Sequence, residues 1–290
     1  MDRAFEDDLE PDGIVPPDAD TAVGEDPVIR EIEEMLADGR LEEALARIDA
    51  ALADDRGNKS DLTFLRGDAC LGMGRAGDAE RQFRAVLERD PDCPSSRCWL
   101  AMSLFLQWRF DEAEEAVEAA RALSDALVDA DVVFGCLLER RGEYREADGY
   151  FERAAAAMPD KYVLPTRWSR QQFDREVQQA ARMLPRQFRQ AMDRVPVVVQ
   201  DLPDSSFAEI GGEELAPDML GLFDGVPLPE TSEFDGVTLP ANTIFLFQRN
   251  LERMADGKKD LIEQIRITLW HELGHYLGFE EEDMDDLGLA

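Results

Sequence analysis

Between residues 27 and 162 the apolar positions recur on two scales. Within stretches of about a dozen residues they fall three and four apart, the spacing of a helix that buries one face. Across stretches they return every 34 or 35 residues: Leu41, Ala76, Phe110 and Tyr144; Ala44, Ala79, Ala113 and Ala147; Ile48, Phe83, Val117 and Phe151; Ala51, Val86, Ala120 and Ala154. Gly39, Gly74 and Gly142 punctuate the units in the same register, with Trp108 in the third, and Pro91 and Pro159 end two of them. The pattern predicts four helix–turn–helix units over about residues 25–161, with alanines letting the paired helices approach closely. One such unit cannot bury its own apolar stripe, so neighbours must stack into a solenoid.

The pattern changes after residue 162. Ser169 is placed to cap a helix, and Pro185 divides the following periodic stretch into two, about 170–183 and 185–193. Val195–Val199 reads as a buried strand, Leu220–Phe223 and Val237–Leu239 as shorter candidates, and Thr243–Phe247 as the clearest strand after the first. From Asp260 to Trp270 the spacing is again that of a helix with one buried face. The fold class predicted is multidomain: an N-terminal all-α solenoid over 27–162 and a small α+β domain over 163–290. Residues 1–26, rich in Asp, Pro and Gly without periodicity, are expected to be a disordered acidic segment.

The chain has two histidines, and both lie in that last helix as His271-Glu272-Leu273-Gly274-His275. Residues four apart share a helix face. Two imidazoles so placed can hold one Zn²⁺, and the Glu between them can serve as general base. A catalytic zinc takes a third protein ligand. Gly278 is suited to end the helix in a left-handed turn that brings the chain back. By spacing, Glu281 is the expected third ligand, with Glu280, Glu282 and Asp283 as the alternatives. Fe²⁺ or Mn²⁺ at such a triad fits less well, because the intervening Glu suits hydrolysis.

Two resemblances follow from these residues. The 34-residue unit, with small residues at the helix crossing and an aromatic in the second helix, resembles the tetratricopeptide repeat, whose groove takes extended peptides or partner helices. No clamp of Lys and Asn for a terminal carboxylate is visible, the lysines being Lys59, Lys161, Lys258 and Lys259. The histidine motif, with Phe173–Val199, Leu220–Leu228, Leu239-Pro240, Thr243–Phe247 and Arg266–Gly288, resembles the minimal zincin-like metallopeptidases of bacteria, related in motif to matrix metalloproteases. This likeness covers about residues 168–290. Members of that family place an acid, usually Asp, where Glu281 stands. The resemblance implies zinc-dependent hydrolysis of peptide bonds, and a strand near Thr243–Phe247 edging the cleft and pairing with a substrate backbone. Only 15 residues follow His275, so the methionine turn of larger relatives is not expected.

Composition narrows the partners. The net charge is −33, and the excess is spread over all three segments. Nucleic acid and anionic membrane surfaces are excluded as partners, since both require clustered cations; basic peptides or proteins are favoured. No apolar run is long enough to span a bilayer, and the acidic start lacks the apolar core of a secretory signal. The four cysteines, Cys70, Cys93, Cys98 and Cys136, are expected to be reduced in a cytoplasmic protein, with Cys93–Cys98 as the pair that could bridge. An arginine island, Arg167, Arg170, Arg175, Arg182, Arg186, Arg189 and Arg194, either docks on the acidic solenoid or forms an exposed helix face. Two functions are expected from this reading. One is a zinc metallopeptidase whose repeats recruit protein substrates; the alternative is a non-catalytic repeat adaptor with a structural or inactive metal domain.

Overall fold

The computed structural model describes residues 26–211, 215–228, 242–279 and 283–284. Four helix pairs form the N-terminal array: α1 (Pro27–Ala37) with α2 (Leu41–Ala53), α3 (Lys59–Gly72) with α4 (Ala76–Arg89), α5 (Pro94–Leu106) with α6 (Phe110–Leu123), and α7 (Val128–Arg140) with α8 (Tyr144–Ala157). Each second helix opens on the same sequence column, Leu41, Ala76, Phe110 or Tyr144. The alanine column is sealed, with Ala44, Ala79, Ala113 and Ala147 each 0% exposed. Helix separation is matched to side-chain size. A Cβ on Gly67 would lie 2.7 Å from the Phe83 ring, and one on Gly135 would lie 2.7 Å from the Phe151 ring. In the third unit Ala101 and the smaller Val117 occupy the equivalent places. The turn column takes the left-handed conformation throughout: Gly39 (φ 72°), Gly74 (71°), Gly142 (77°) and, without a glycine, Trp108 (63°).

A second column ties each unit to the next. Glu80 accepts from Arg109 (2.8 Å) and Gln107 (2.9 Å) of the third unit, and Glu114 pairs with Arg141 of the fourth. The next member of this 34-residue series, Asp148, is paired with Arg167, which lies beyond the array (2.8 Å).

The C-terminal half contains α9 (Arg170–Met183), α10 (Arg186–Met192), β1 (Val197–Gln200), α11 (Ser206–Gly211), β2 (Gly221–Asp224), β3 (Thr243–Phe247), α12 (Gln248–Met254) and α13 (Gly257–Leu277). Ser169 caps α9 in a capping box with Gln172, as its position predicts. The sheet has the order β1-β3-β2, with β1 parallel and β2 antiparallel to the central β3. Its core gathers Phe173 and Leu184 with Ile244, Leu246, Leu261 and Ile265. The fold is therefore the expected helical solenoid followed by a small α+β unit. Val237–Leu239 and residues 1–25 lie outside the described residues. Helices α11 and α12 were not expected. The polar stretch Gln248-Arg249-Asn250-Leu251-Glu252-Arg253 shows no apolar period, because its buried polar side chains face partners rather than lipid-like core.

Gln248, Asn250 and Glu252 bond within the C-terminal half, to Trp168, Pro217, Met219 and Arg167, whereas Arg249 and Arg253 reach the solenoid. Glu139 of α7, with its side chain 0% exposed, accepts from Arg167 (2.6 Å), lies 3.5 Å from Arg249 and pairs with Arg253. Glu252 accepts from Arg167 (3.2 Å) and from the Trp168 amide (2.9 Å). Arg249 stacks 3.9 Å over the Tyr144 ring, and Trp108 donates to the Leu215 carbonyl at 2.7 Å. Of the two alternatives expected for the arginine island, the exposed face holds for most of its members. Arg175, Arg182, Arg186, Arg189 and Arg194 are exposed on the amphipathic helices α9 and α10 or just past them. Arg167 alone of that island reaches the solenoid, and it is joined there by Arg249 and Arg253 from α12. The four cysteines are free thiols, so Cys93 and Cys98 are not bridged.

Candidate metal centre

Helix α13 is positioned by a stripe of Leu261, Ile265, Leu269, Leu273 and Tyr276, all buried at three- and four-residue spacing. Trp270 anchors it to α9 by donating to the Ala180 carbonyl at 3.1 Å. The opposite face carries the two histidines, both half-buried. Their Nε2 atoms lie 3.1 Å apart and their rings are near perpendicular, at 87°. At the Zn–N distance of about 2.0–2.1 Å, this separation corresponds to an N–Zn–N angle of roughly 100°, close to tetrahedral. The pair therefore fits one ion.

Glu272 is turned toward the sheet and is 7% exposed. Its Oε2 accepts from the Phe223 backbone amide at 2.6 Å. That amide is available because Phe223, paired in register with Ile244, points its N–H away from β3. Gly221 makes the approach possible: a Cβ there would lie 2.6 Å from Thr268 Cγ2 and 2.9 Å from Glu272 Cγ. The expectation that Thr243–Phe247 edges the cleft is corrected by this arrangement. β3 is paired on both sides, and Ile244, Leu246 and Phe247 are core residues at 0% exposure. β2, expected as the shorter candidate Leu220–Phe223, is the strand beside the histidine helix.

Gly278 ends α13 in the left-handed conformation (φ 80°), and the Gly278 and Phe279 amides donate to the carbonyls of His275 and Gly274 (both 3.0 Å). The chain then returns. Met284, 0% exposed, packs against Gly274 so closely that a Cβ on that glycine would collide with its sulfur. A methionine thus packs against the histidine helix. Glu280, Glu281 and Glu282, which include the expected third ligand, lie outside the described residues; Asp283 is exposed. Among the described residues no cluster of three or more His, Cys, Asp or Glu forms a metal site. The structure brings together His271, His275 and the Glu272 carboxylate beside β2. Gly221, the Phe223 amide and Met284 were missed by sequence reasoning, since a backbone donor and a packing glycine carry no side-chain signature.

Comparison with known proteins agrees with this architecture. Residues 192–289 match the family described as zincin-like metallopeptidase, and residues 64–127 match the tetratricopeptide repeat family. No curated protein sequence matches the chain. Similar solved structures include a thermophilic tetratricopeptide-repeat protein of Thermus thermophilus (17% identity, 45% of this chain and 72% of that one, TM-score 0.41). MamA of Desulfovibrio magneticus is another (16% identity, 46% and 75%, TM-score 0.38). A third is YrrB, a repeat protein with an unusual peptide-binding site (18% identity, 46% and 68%, TM-score 0.37). The chain therefore joins tetratricopeptide repeats to a C-terminal domain of the zincin-like metallopeptidase family.

Proposed function

We propose that residues 163–290 hydrolyse peptide bonds with one Zn²⁺ held by His271, His275 and Glu281, and that the repeats over 27–162 bring protein partners to them. One observation carries this reading: two imidazoles 3.1 Å apart on one helix face, with the carboxylate between them fixed by a backbone N–H. When bound, the ion would act as a Lewis acid and lower the pKa of water at its open position toward about 7. Glu272 takes a proton from the attacking water and passes it to the leaving amine. The Phe223 amide holds one carboxylate oxygen, which fixes the direction in which the other can work. Tyr276 packs its ring on Phe223, 5.7 Å between centroids, and serves as a wall rather than a donor. The −33 charge favours basic substrates. The buried free thiols accord with a reducing, cytoplasmic setting, and among the described residues no helix is long and apolar enough to cross a membrane.

Glu272→Gln tests the assignment. Retained zinc with lost cleavage of a basic protein panel supports it. The adaptor reading is favoured by one feature, the commitment of the Glu272 carboxylate to β2, and predicts no cleavage by the zinc-loaded native chain.

A further inference from the structure

Between α8 and α9 the chain does not leave the solenoid. After a turn in which the Lys161 and Tyr162 amides donate to the Met158 carbonyl, residues 162–169 run without regular secondary structure along α7. The segment is pinned at both ends of that helix. At the start, Lys161 Nζ lies 2.6 Å from Asp129 and the Tyr162 hydroxyl donates to the same carboxylate. At the finish, Arg167 sits on Glu139. Ten helical residues advance about 15 Å, and the five residues from Tyr162 to Arg167 span about 17 Å when extended. The strap thus follows α7 from its first turn to its last.

The surface beneath it is made by the first helices of successive units. Lys161 lies 5.3 Å over the Trp99 ring of α5. Burial raises the Asp68 carboxyl of α3, with the Lys161 charge opposing, and burial with the Asp129 hydrogen bond raises the Tyr162 phenol. Pro165 is buried, whereas Leu164 is 55% exposed. The first-helix face of the second to fourth units therefore already holds an extended peptide, and that peptide is the chain's own.

We infer that this face is a binding site for extended partner segments carrying Lys-Tyr ahead of an apolar-Pro stretch, and that residues 161–167 occupy it in competition with them. The chemistry is legible in the occupant: a cation shared by Asp129 and an indole face, and a phenol that Asp129 accepts from. A tethered segment competes at millimolar effective concentration, so partners bind only when they displace it. Displacement would also remove the Arg167 contacts that join the two halves. This inference rests on the repeats' being a peptide-binding module and is independent of the metal chemistry.

The test uses the full chain and a fluorescent peptide with the sequence of residues 158–168, read by anisotropy without zinc. Lys161→Ala/Tyr162→Ala should bind the peptide at least about tenfold more tightly than the native chain. Adding Asp129→Asn should abolish that gain, and a peptide with Ala-Ala in place of Lys-Tyr should not bind. Tyr162→Phe, which removes only the hydroxyl, should give a smaller gain and remains informative if the double variant fails to fold. Equal affinity for native and variant chains, binding that survives Asp129→Asn, or a native dimer formed by exchange of the strap overturns the proposal. Loss of proteolysis in Glu272→Gln with peptide binding intact would separate this result from that of the metal site.

Discussion

Removing the Glu139 carboxylate tests what holds the two halves together. Glu139 and Glu252 are almost fully sealed, at 0% and 1% side-chain exposure, and they face Arg167, Arg249 and Arg253 at 21%, 18% and 17%. In Glu139→Ala the three guanidiniums stay in place. Arg167 keeps Asp148 and Glu252, whereas Arg253 keeps one hydrogen bond, to the Asn250 side-chain oxygen at 2.8 Å, and the charge of Asp218. Taking one partner from a buried pair costs about 3–5 kcal/mol, because the remaining charge is stranded out of water. The partial exposure of the arginines places the expected loss at the lower end, about 3 kcal/mol. At roughly 2–4 °C per kcal/mol for a chain of this size, the melting temperature should fall by about 6–12 °C. The loss should appear first as undocking, so trypsin should cut faster after Lys161 and Arg167, the two basic residues of the strap. Glu139→Met combined with Arg253→Met removes the stranded charge with its partner and should recover most of the stability. A Glu139→Ala protein that melts within about 1 °C of native, with unchanged cleavage at both sites, would refute the reasoning.

Other outcomes follow from single positions. Gly221→Ala should drive β2 from α13 and cost about 1–3 kcal/mol by thermal melting; Thr268→Ser, which deletes the methyl nearest the new Cβ, should recover part of it. Only Cys93 is half-exposed; burial raises Cys70 and pushes Cys136 and Cys98 up to about 11 and about 12. One of the four thiols should therefore react quickly with a thiol reagent at pH 8, and four fast thiols in the native state would contradict the packing. Burial also raises the Asp68 carboxyl, with Lys161 opposing. Its folded value then exceeds the unfolded one, so folding binds a proton and stability falls as pH rises through that window. Asp68→Asn should accordingly raise the melting temperature at pH 7, with the gain vanishing below about pH 4. A gain that persists at pH 3 would place its origin elsewhere.

Much of this architecture is legible in the sequence because it repeats. Four columns at 34-residue spacing predicted four helix pairs, since each column is a packing constraint met four times. Thr243–Phe247 was legible as a strand because it is apolar and short; its central place in the sheet was not, because pairing partners leave no local trace. The histidine pair was legible because side chains four apart must share a helix face. The rest of the site was not, because its parts are a backbone amide at Phe223, the missing Cβ of Gly221 and a methionine that returns from beyond the helix. α12 was invisible for a related reason. Arg249, Glu252 and Arg253 read as a solvated helix face, but they point at Glu139 and the strap.

Position Glu139 explains why the histidine-bearing domain sits where it does. In the second and third units the equivalent positions are the apolar residues Leu71 and Phe105. In the last unit the position is an acid, which would be costly to bury under another apolar helix. The acidic column next to it continues unchanged: Glu80, Glu114 and Asp148 each pair with an arginine of whatever comes next. The last unit thus keeps the polar half of the stacking code and replaces the apolar half by a charge. Arg167, Arg249 and Arg253 satisfy both positions, so the junction and α12 close the array in place of a fifth repeat. Trp108 extends the same adaptation. It holds a left-handed turn where the other units use glycine, at a cost of about 1–2 kcal/mol, and returns an indole N–H to the Leu215 carbonyl and a ring under Arg140 (5.4 Å). A solenoid end needs a cap with a polar outer face. Here the cap is the domain that bears the histidines, which fixes their helix relative to the groove.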